Sequence, residues 1–295
     1  MILNIKATKA AFALLAIGLA IAGCQKMTRP ELKELITDPP PPPYADLKSF
    51  WSFENNLTDA GENKLSATAA AVTYVAGVTG QAAKIAAAGY ILLKTFPDTV
   101  KYANGFKSLP KDTLSNLGSY TLSFWMNGIG PVKDGAQGLF SISNKTQFWG
   151  NLDLFLENYD NASDSGFLKV HMFNAAAASA DNEQWNEIKI PKMLNKWTFI
   201  VVRYDASNSQ FSIFSDNVAV ISNKVLAAGK YGKLKFNDFN GMVLGTYQFQ
   251  TVPSLTTNHG AESWAQSFHG ALDQLRLYNR PLTNAELTDL FTTKK

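Results

Sequence analysis

Over much of the chain apolar and polar residues alternate with a period of two. From Ser119 to Asn127, Tyr120, Leu122, Phe124 and Met126 fall on one face and Thr121, Ser123 and Trp125 on the other. That alternation marks a half-buried strand. Leu47–Phe53, Leu139–Ile142, Leu152–Glu157, Phe167–Phe173, Met242–Gly245 and Phe268–Tyr278 are further predicted strands. Trp197–Tyr204 is apolar on both faces and predicts a central strand. Phe211–Phe214 and Val218–Ile221 flank Ser215-Asp216-Asn217 and predict a hairpin. One helix signal stands out, at the end. Thr283-Asn284-Ala285-Glu286 fits a capping box, and Leu287, Leu290 and Phe291 supply an apolar stripe. The alanine-rich stretches Ala67–Ala71, Ala86–Ala88 and Ala175–Ala178 read as loop or strand-edge filler. Short strands separated by Gly, Asn, Asp and Ser clusters predict an all-β sandwich or barrel.

The first 45 residues break this pattern. Lys6 and Lys9 precede an apolar run from Ala10 to Ile21, too short to span a bilayer but suited to a cleaved signal. The string Ile21-Ala22-Gly23-Cys24 resembles the lipobox of bacterial lipoproteins. The resemblance implies that residues 1–23 are a signal peptide and that Cys24 carries a diacylglycerol on its sulfur and an acylated amino terminus. Several acyl chains hold a protein on a membrane far more firmly than one. Residues 24–45 then read as a tether, because the five prolines Pro39 to Pro43 favour a semi-rigid polyproline II spacer. Gln25 is not an inner-membrane retention aspartate, and Lys26 to Arg29 lack an acidic export cluster. The expected address is therefore the cell envelope, on the outer membrane, with the leaflet open.

Composition narrows the remainder, residues 46–295, to one well-cored domain. Aromatic residues make up 12% and charged residues 17%, which excludes a disordered chain. Cys24 is the only cysteine, so no intrachain disulfide can form. The 27 basic and 24 acidic residues leave a net charge of +3 with no Lys/Arg block, which argues against a nucleic-acid partner.

Several strings together resemble the laminin-G-like, concanavalin A-like jelly-roll domains of bacterial surface proteins. They are Phe50 to Asp59, Val72 to Val75, Gly80 to Lys84, Tyr120 to Trp125, Lys196-Trp197 through Asn217, and Phe268 to Thr283. The last, FHGALDQLRLYNRPLT, is the most specific. The resemblance covers roughly residues 46–293. It implies a two-sheet antiparallel jelly-roll sandwich closed by a short helix. It does not decide function, since one fold hosts lectins and enzymes.

The related glucanases carry paired carboxylates on one strand, at Glu-x-Asp-x-x-Glu or Glu-x-Asp-x-Glu spacing. The nearest string here runs from Asn151 to Glu157, with Asn in the first position and the last Glu at neither spacing. Asp153 and Glu157 are four residues apart, about 13 Å on a strand, too far for either glycosidase geometry. They are expected to be two solvent-facing acids, and the chain to bind rather than to cut. His171, His259 and His269 read as surface or core residues. Asp273 shares strand parity with Leu275 and Leu277, so it is expected to face the core, where a lone carboxylate is costly. Either an arginine or lysine pairs with it, or a structural Ca2+ does. For the ion, the resemblance points to Asp273 with Glu54 and Asp59 of the opening segment and backbone oxygens.

Sugars are held by aromatic faces and directed polar groups. Trp51, Trp125 and Trp197 sit in strand patterns. Trp149, Trp185 and Trp264 sit in polar, loop-like contexts among amides and carboxylates and are the candidate ligand residues, with Tyr247 and Tyr159 added. The expected partner is a glycan or polysaccharide, within a polysaccharide-uptake system that includes other envelope proteins. A scaffolding lipoprotein without a sugar site and an atypical glycoside hydrolase are the two alternatives.

Overall fold

The computed structural model describes residues 46–95, 100–101, 107–108 and 110–294. The signal peptide, the tether and Cys24 lie outside the described residues. The chain forms β1 (Leu47–Trp51), β2 (Ser66–Ala76), β3 (Gln81–Thr95), β4 (Val100–Lys101), β5 (Lys107–Ser108) and a short helix α1 (Pro110–Ser115). There follow β6 (Tyr120–Gly128), β7 (Ala136–Ile142), β8 (Leu152–Glu157), β9 (Gly166–Phe173), β10 (Glu183–Ile190), β11 (Thr198–Asp205), β12 (Gln210–Ser215) and β13 (Val218–Val225). The chain closes with β14 (Met242–Leu244), β15 (Ala265–Ser267), β16 (Gly270–Tyr278) and helix α2 (Asn284–Thr293). Among the described residues no helix is long and apolar enough to cross a membrane.

Fourteen strands join in one ladder, in the order β10-β9-β8-β7-β14-β3-β16-β6-β11-β12-β13, with β1 on β16, β2 on β3 and β15 on β7. Every pairing is antiparallel except β15 with β7. Two layers arise from this one ladder because β3 serves both. Its Ile91–Leu93 end pairs with β14, and its Ala83–Ile85 end pairs with β16. Between them Ala88 takes φ 57°, the kind of local break by which a strand turns a corner between layers. The free edges of the ladder also approach each other, where Lys224 Nζ on β13 donates to the Trp185 carbonyl on β10 at 3.3 Å.

The predicted strands are present, and two expectations change. The alanine-rich stretches Ala67–Ala71 and Ala86–Ala88 are not filler but lie within β2 and β3. Small residues suit an exposed edge hairpin with bulges, which asks little of side-chain packing. Trp185 sits within β10 rather than in a loop. The Asp216–Asn217 turn has φ values of 49° and 62°, both in the left-handed region that a two-residue hairpin turn requires.

The core lies between the layers. From β8 and β9 it takes Leu152, Leu154, Leu156, Leu168, Val170 and Met172, and from the other layer Tyr120, Leu122, Phe124, Ile200 and Val202. The outer face of the β6–β11–β12 layer is covered by α2. Thr283 and Glu286 form a reciprocal capping box, Leu287 is buried, and Phe291 stacks on Trp125 at 5.6 Å. Among the described residues the outer face of the β7–β10 layer carries no α-helix, only loops and the single 3-10 turn Gln248–Gln250, and it bears the site.

Candidate functional site

Strand register draws one polar line across this outer face. Ser141 on β7 lies opposite Asp153 on β8, Asp153 opposite His171 on β9, and His171 opposite Trp185 on β10. Their neighbours Ile142, Leu154, Val170 and Met172 enter the core, so period-two alternation turns these four outward. Ser141 Oγ donates to Asp153 Oδ1 at 2.5 Å, and Asp153 Oδ2 lies 3.1 Å from His171 Nδ1. His171 Nε2 is 3.8 Å from Glu183 Oε1, an ion-pair contact too long for a hydrogen bond. Burial works against a charge on His171. The hydrogen bond to Asp153 and the attraction of Glu183 outweigh it, so its pKa stands above the usual 6.5. His171 in turn lowers the pKa of Glu183.

Three loops lay aromatic rings over this line. The loop between β7 and β8 brings Phe148 and Trp149, the segment after β14 brings Tyr247 and Phe249, and the segment before β15 brings Trp264. Gly138 permits the second approach, since a Cβ there would stand 2.5 Å from the Thr246 carbonyl carbon. Gln248 anchors the first loop. Its Oε1 accepts the Asn144 N–H at 2.6 Å, and its Nε2 donates to the carbonyls of Gln147 and Phe148, both at 2.8 Å. Gln250 does the same for the third loop, bonding Glu262 N–H and the carbonyls of Glu262 and Ala265.

The three candidate tryptophans converge. Trp149 is central, 5.2 Å from Trp185 and 6.0 Å from Trp264 between ring centroids. It stacks on Phe155 at 5.4 Å with planes 8° apart. Trp185 and Trp264 are 37% and 38% exposed, while Trp149 is half-buried. Tyr247 touches Trp149 and Trp264 but is only 1% exposed. It belongs to the floor beneath the rings rather than to a ligand-facing surface. Tyr159 stands apart, its ring under Lys189.

The two acids raised from sequence do not stand free together. Asp153 is not solvent-facing: it is 1% exposed and committed to Ser141 and His171. Glu157 pairs with Lys169 at 2.9 Å, and Lys169 also reaches Glu187 at 3.4 Å. Sequence reading did not find the Asp153–His171 pair. Its signal was one polar residue in each of two apolar runs, in strands whose register only the fold reveals.

The expected ion ligands separate. Asp273 does not share the core face with Leu275 and Leu277. A bulge between Asp273 and Arg276 inserts one residue, with Gln274 at φ 48°. Asp273 therefore lies opposite Trp125 on the outer face of its layer. It is fully buried there, under the turn that joins β2 to β3. Its Oδ2 accepts the Val78 N–H at 2.9 Å, and its Oδ1 has no partner. Burial raises its pKa to about 6, with Glu54 nearby adding to the rise. Glu54 accepts the Gln81 N–H at the end of the same turn, at 3.0 Å. Two carboxylates around one turn, one with a bare buried oxygen, fit a hard cation that takes its other oxygens from the backbone. Asp59 does not fit, because its oxygens accept the N–H groups of Phe50, Gly61 and Leu65. Among the described residues no three His, Cys, Asp or Glu side chains cluster as a metal site, and no arginine or lysine forms a salt bridge with Asp273.

A model of the concanavalin A-like lectin/glucanases superfamily matches residues 102–288, more than half of the chain. The chain belongs to this superfamily. No curated protein matches it at a significant level. Among solved structures, this superfamily member is similar to domain 4 of AbnA, an extracellular arabinanase of family GH43 from Geobacillus stearothermophilus, in complex with arabinotriose. The two are 18% identical over 83% of this chain and 97% of that one, with a TM-score of 0.50. It is also similar to the receptor binding domain of botulinum neurotoxin C/D mosaic serotype, at 11% identity over 84% of this chain and 51% of that one, TM-score 0.55. The ligand binding domain of serotype D, in complex with N-acetylneuraminic acid, matches at 8% identity over 85% of this chain and 52% of that one, TM-score 0.54. The chain spans about half the length of these neurotoxin domains. At such identities the likeness is one of fold.

Proposed function

We propose that the chain is a carbohydrate-binding module whose ligand lies across Trp185, Trp149 and Trp264, and that it works as binding apparatus rather than as a hydrolase. The observation that carries this reading is the meeting of three indoles, drawn from separate parts of the sequence, in one partly exposed cluster. Pyranose C–H faces pack on flat aromatic rings, and amphipathic rings of this kind dominate recognition surfaces. Two similar folds were solved with sugars bound, arabinotriose in one and N-acetylneuraminic acid in the other, which supports the same class of ligand here.

The module is held at the bacterial cell envelope by lipid on Cys24, lifted from the outer membrane by the proline tether, and serves polysaccharide capture with other envelope proteins. A Ca2+ between Asp273 and Glu54 steadies the β2–β3 turn and takes no part in sugar contact, since the two sites lie on different layers of the sandwich.

A glycan array tests the reading. Wild-type chain should bind a restricted set of glycans, and alanine at Trp185 or Trp264 should each weaken the best of them by about tenfold or more. Protein partners captured by the same rings, with no glycan bound, would favour the scaffolding alternative. Sugar release from a polysaccharide, lost on substitution of Asp153 or Glu157, would revive the hydrolase.

A further inference from the structure

Glu183 is absent from every pairing described above except the 3.8 Å contact with His171. It is a mostly exposed carboxylate, its side chain 57% accessible, on the same face of β10 as Trp185 and two residues away. That spacing separates their backbone positions by roughly 7 Å along the strand, so both side chains stand side by side on one surface. Beneath it His171 is buried to 1%, and its Nε2 is buried with no hydrogen-bond partner. The imidazole is clamped from below, by Asp153 at Nδ1, and packs against Trp185 with ring centroids 4.6 Å apart. A buried, unpartnered ring nitrogen aimed at an exposed carboxylate costs stability unless the two attract.

Resting on the carbohydrate reading above, we propose that Glu183 is the residue that accepts hydrogen bonds from sugar hydroxyls on the tryptophan surface, and that the Asp153–His171 pair is a positioning device for its carboxylate. A carboxylate is acceptor-only and can take two hydroxyls of a vicinal diol at once. Held in place by His171, it selects a sugar that presents such a diol at the edge of the stacked ring. The groups facing His171 are Asp153 from β8 and Glu183 from β10. Lys169, on the same strand, is spent on Glu157 and Glu187, and Ser141 reaches the imidazole only through Asp153. The attraction between His171 and Glu183 lasts while the imidazole is charged, so binding weakens as pH rises through the titration of His171, above 6.5.

The test uses affinity gels loaded with arabinan, xylan, β-glucan or starch, run at about pH 6 and about pH 8.5. The probe is the polysaccharide that retards wild type most. At the lower pH, Glu183→Gln should bind it about tenfold more weakly. Wild type should weaken at the higher pH, Asp153→Asn should shift that loss to lower pH, and Trp185→Ala should bind poorly at both. A Glu183→Gln variant that binds like wild type while Trp185→Ala does not would overturn the role of Glu183 and leave the tryptophan site standing. Retention by none of the four, or retention indifferent to Trp185→Ala, would overturn both. The His171 ring resonance, followed by NMR in wild type without any glycan, gives a readout independent of variant folding. It should titrate above pH 6.5, and a His171 that titrates below that value overturns the proposal.

Discussion

Gln248→Leu isolates the device that makes the tryptophan surface rigid. Gln248 is fully buried, and leucine has nearly its volume, so the change removes hydrogen bonds with little cavity. The Asn144 N–H and the Phe148 carbonyl lose a partner held at 2.6 and 2.8 Å. The Gln147 carbonyl keeps Thr256 Oγ1, also at 2.8 Å. Stranding the buried Asn144 N–H costs about 1–3 kcal/mol and stranding the part-buried Phe148 carbonyl costs less, so the expected loss is roughly 3 kcal/mol. In a domain of this size that lowers the melting midpoint by about 6–12 °C. Thermal melts and urea titrations read the stability. The glycan array reads the second consequence, weaker binding because the loop that carries Trp149 is no longer held before the ligand arrives. A variant within about 0.5 kcal/mol of wild type, the ordinary range of a neutral substitution, would refute the reasoning.

The cation proposal makes a prediction with a definite sign. Without Ca2+ the folded state favours neutral Asp273. Its stabilisation is full below the usual 3.8 and is lost as pH rises through about 6. At neutral pH in chelator, Asp273→Asn should therefore melt no lower than wild type, whereas added Ca2+ should raise the wild-type midpoint and leave the variant unchanged. Identical responses to Ca2+ in the two proteins would remove the ion. At the closing helix, Thr283→Ala deletes the acceptor of the Glu286 N–H. It should cost about 1 kcal/mol by chemical denaturation, and no loss would mean that Leu287 and Phe291 hold α2 unaided.

The all-β class, most strands and the capped helix were legible because each depends on local patterning. The bulge at Gln274 shows where that stops. Parity along a strand predicts a face only while pairing is regular, and one inserted residue put Asp273 on the side opposite Leu275. Trp185 reads as a loop residue because its strand is a polar edge, Glu-Gln-Trp-Asn-Glu, in which the apolar signal is weak. Its candidacy as a ligand residue rests on its chemistry and holds in either element. The line from Ser141 to Trp185 was invisible for a deeper reason. It is a property of register across four strands, and nothing in any one strand records which residue of the next will stand opposite. The same holds for Gln248, an unremarked amide until the fold brings it under a loop a hundred residues earlier in the chain.

Affinity electrophoresis of the wild-type chain beside a Trp149/Trp185/Trp264 triple alanine variant, across a polysaccharide panel, tests the central claim most directly. Both proteins are first shown to melt cooperatively. The account predicts retardation of the wild type by at least one polysaccharide and none of the variant. Equal retardation of the two would contradict it.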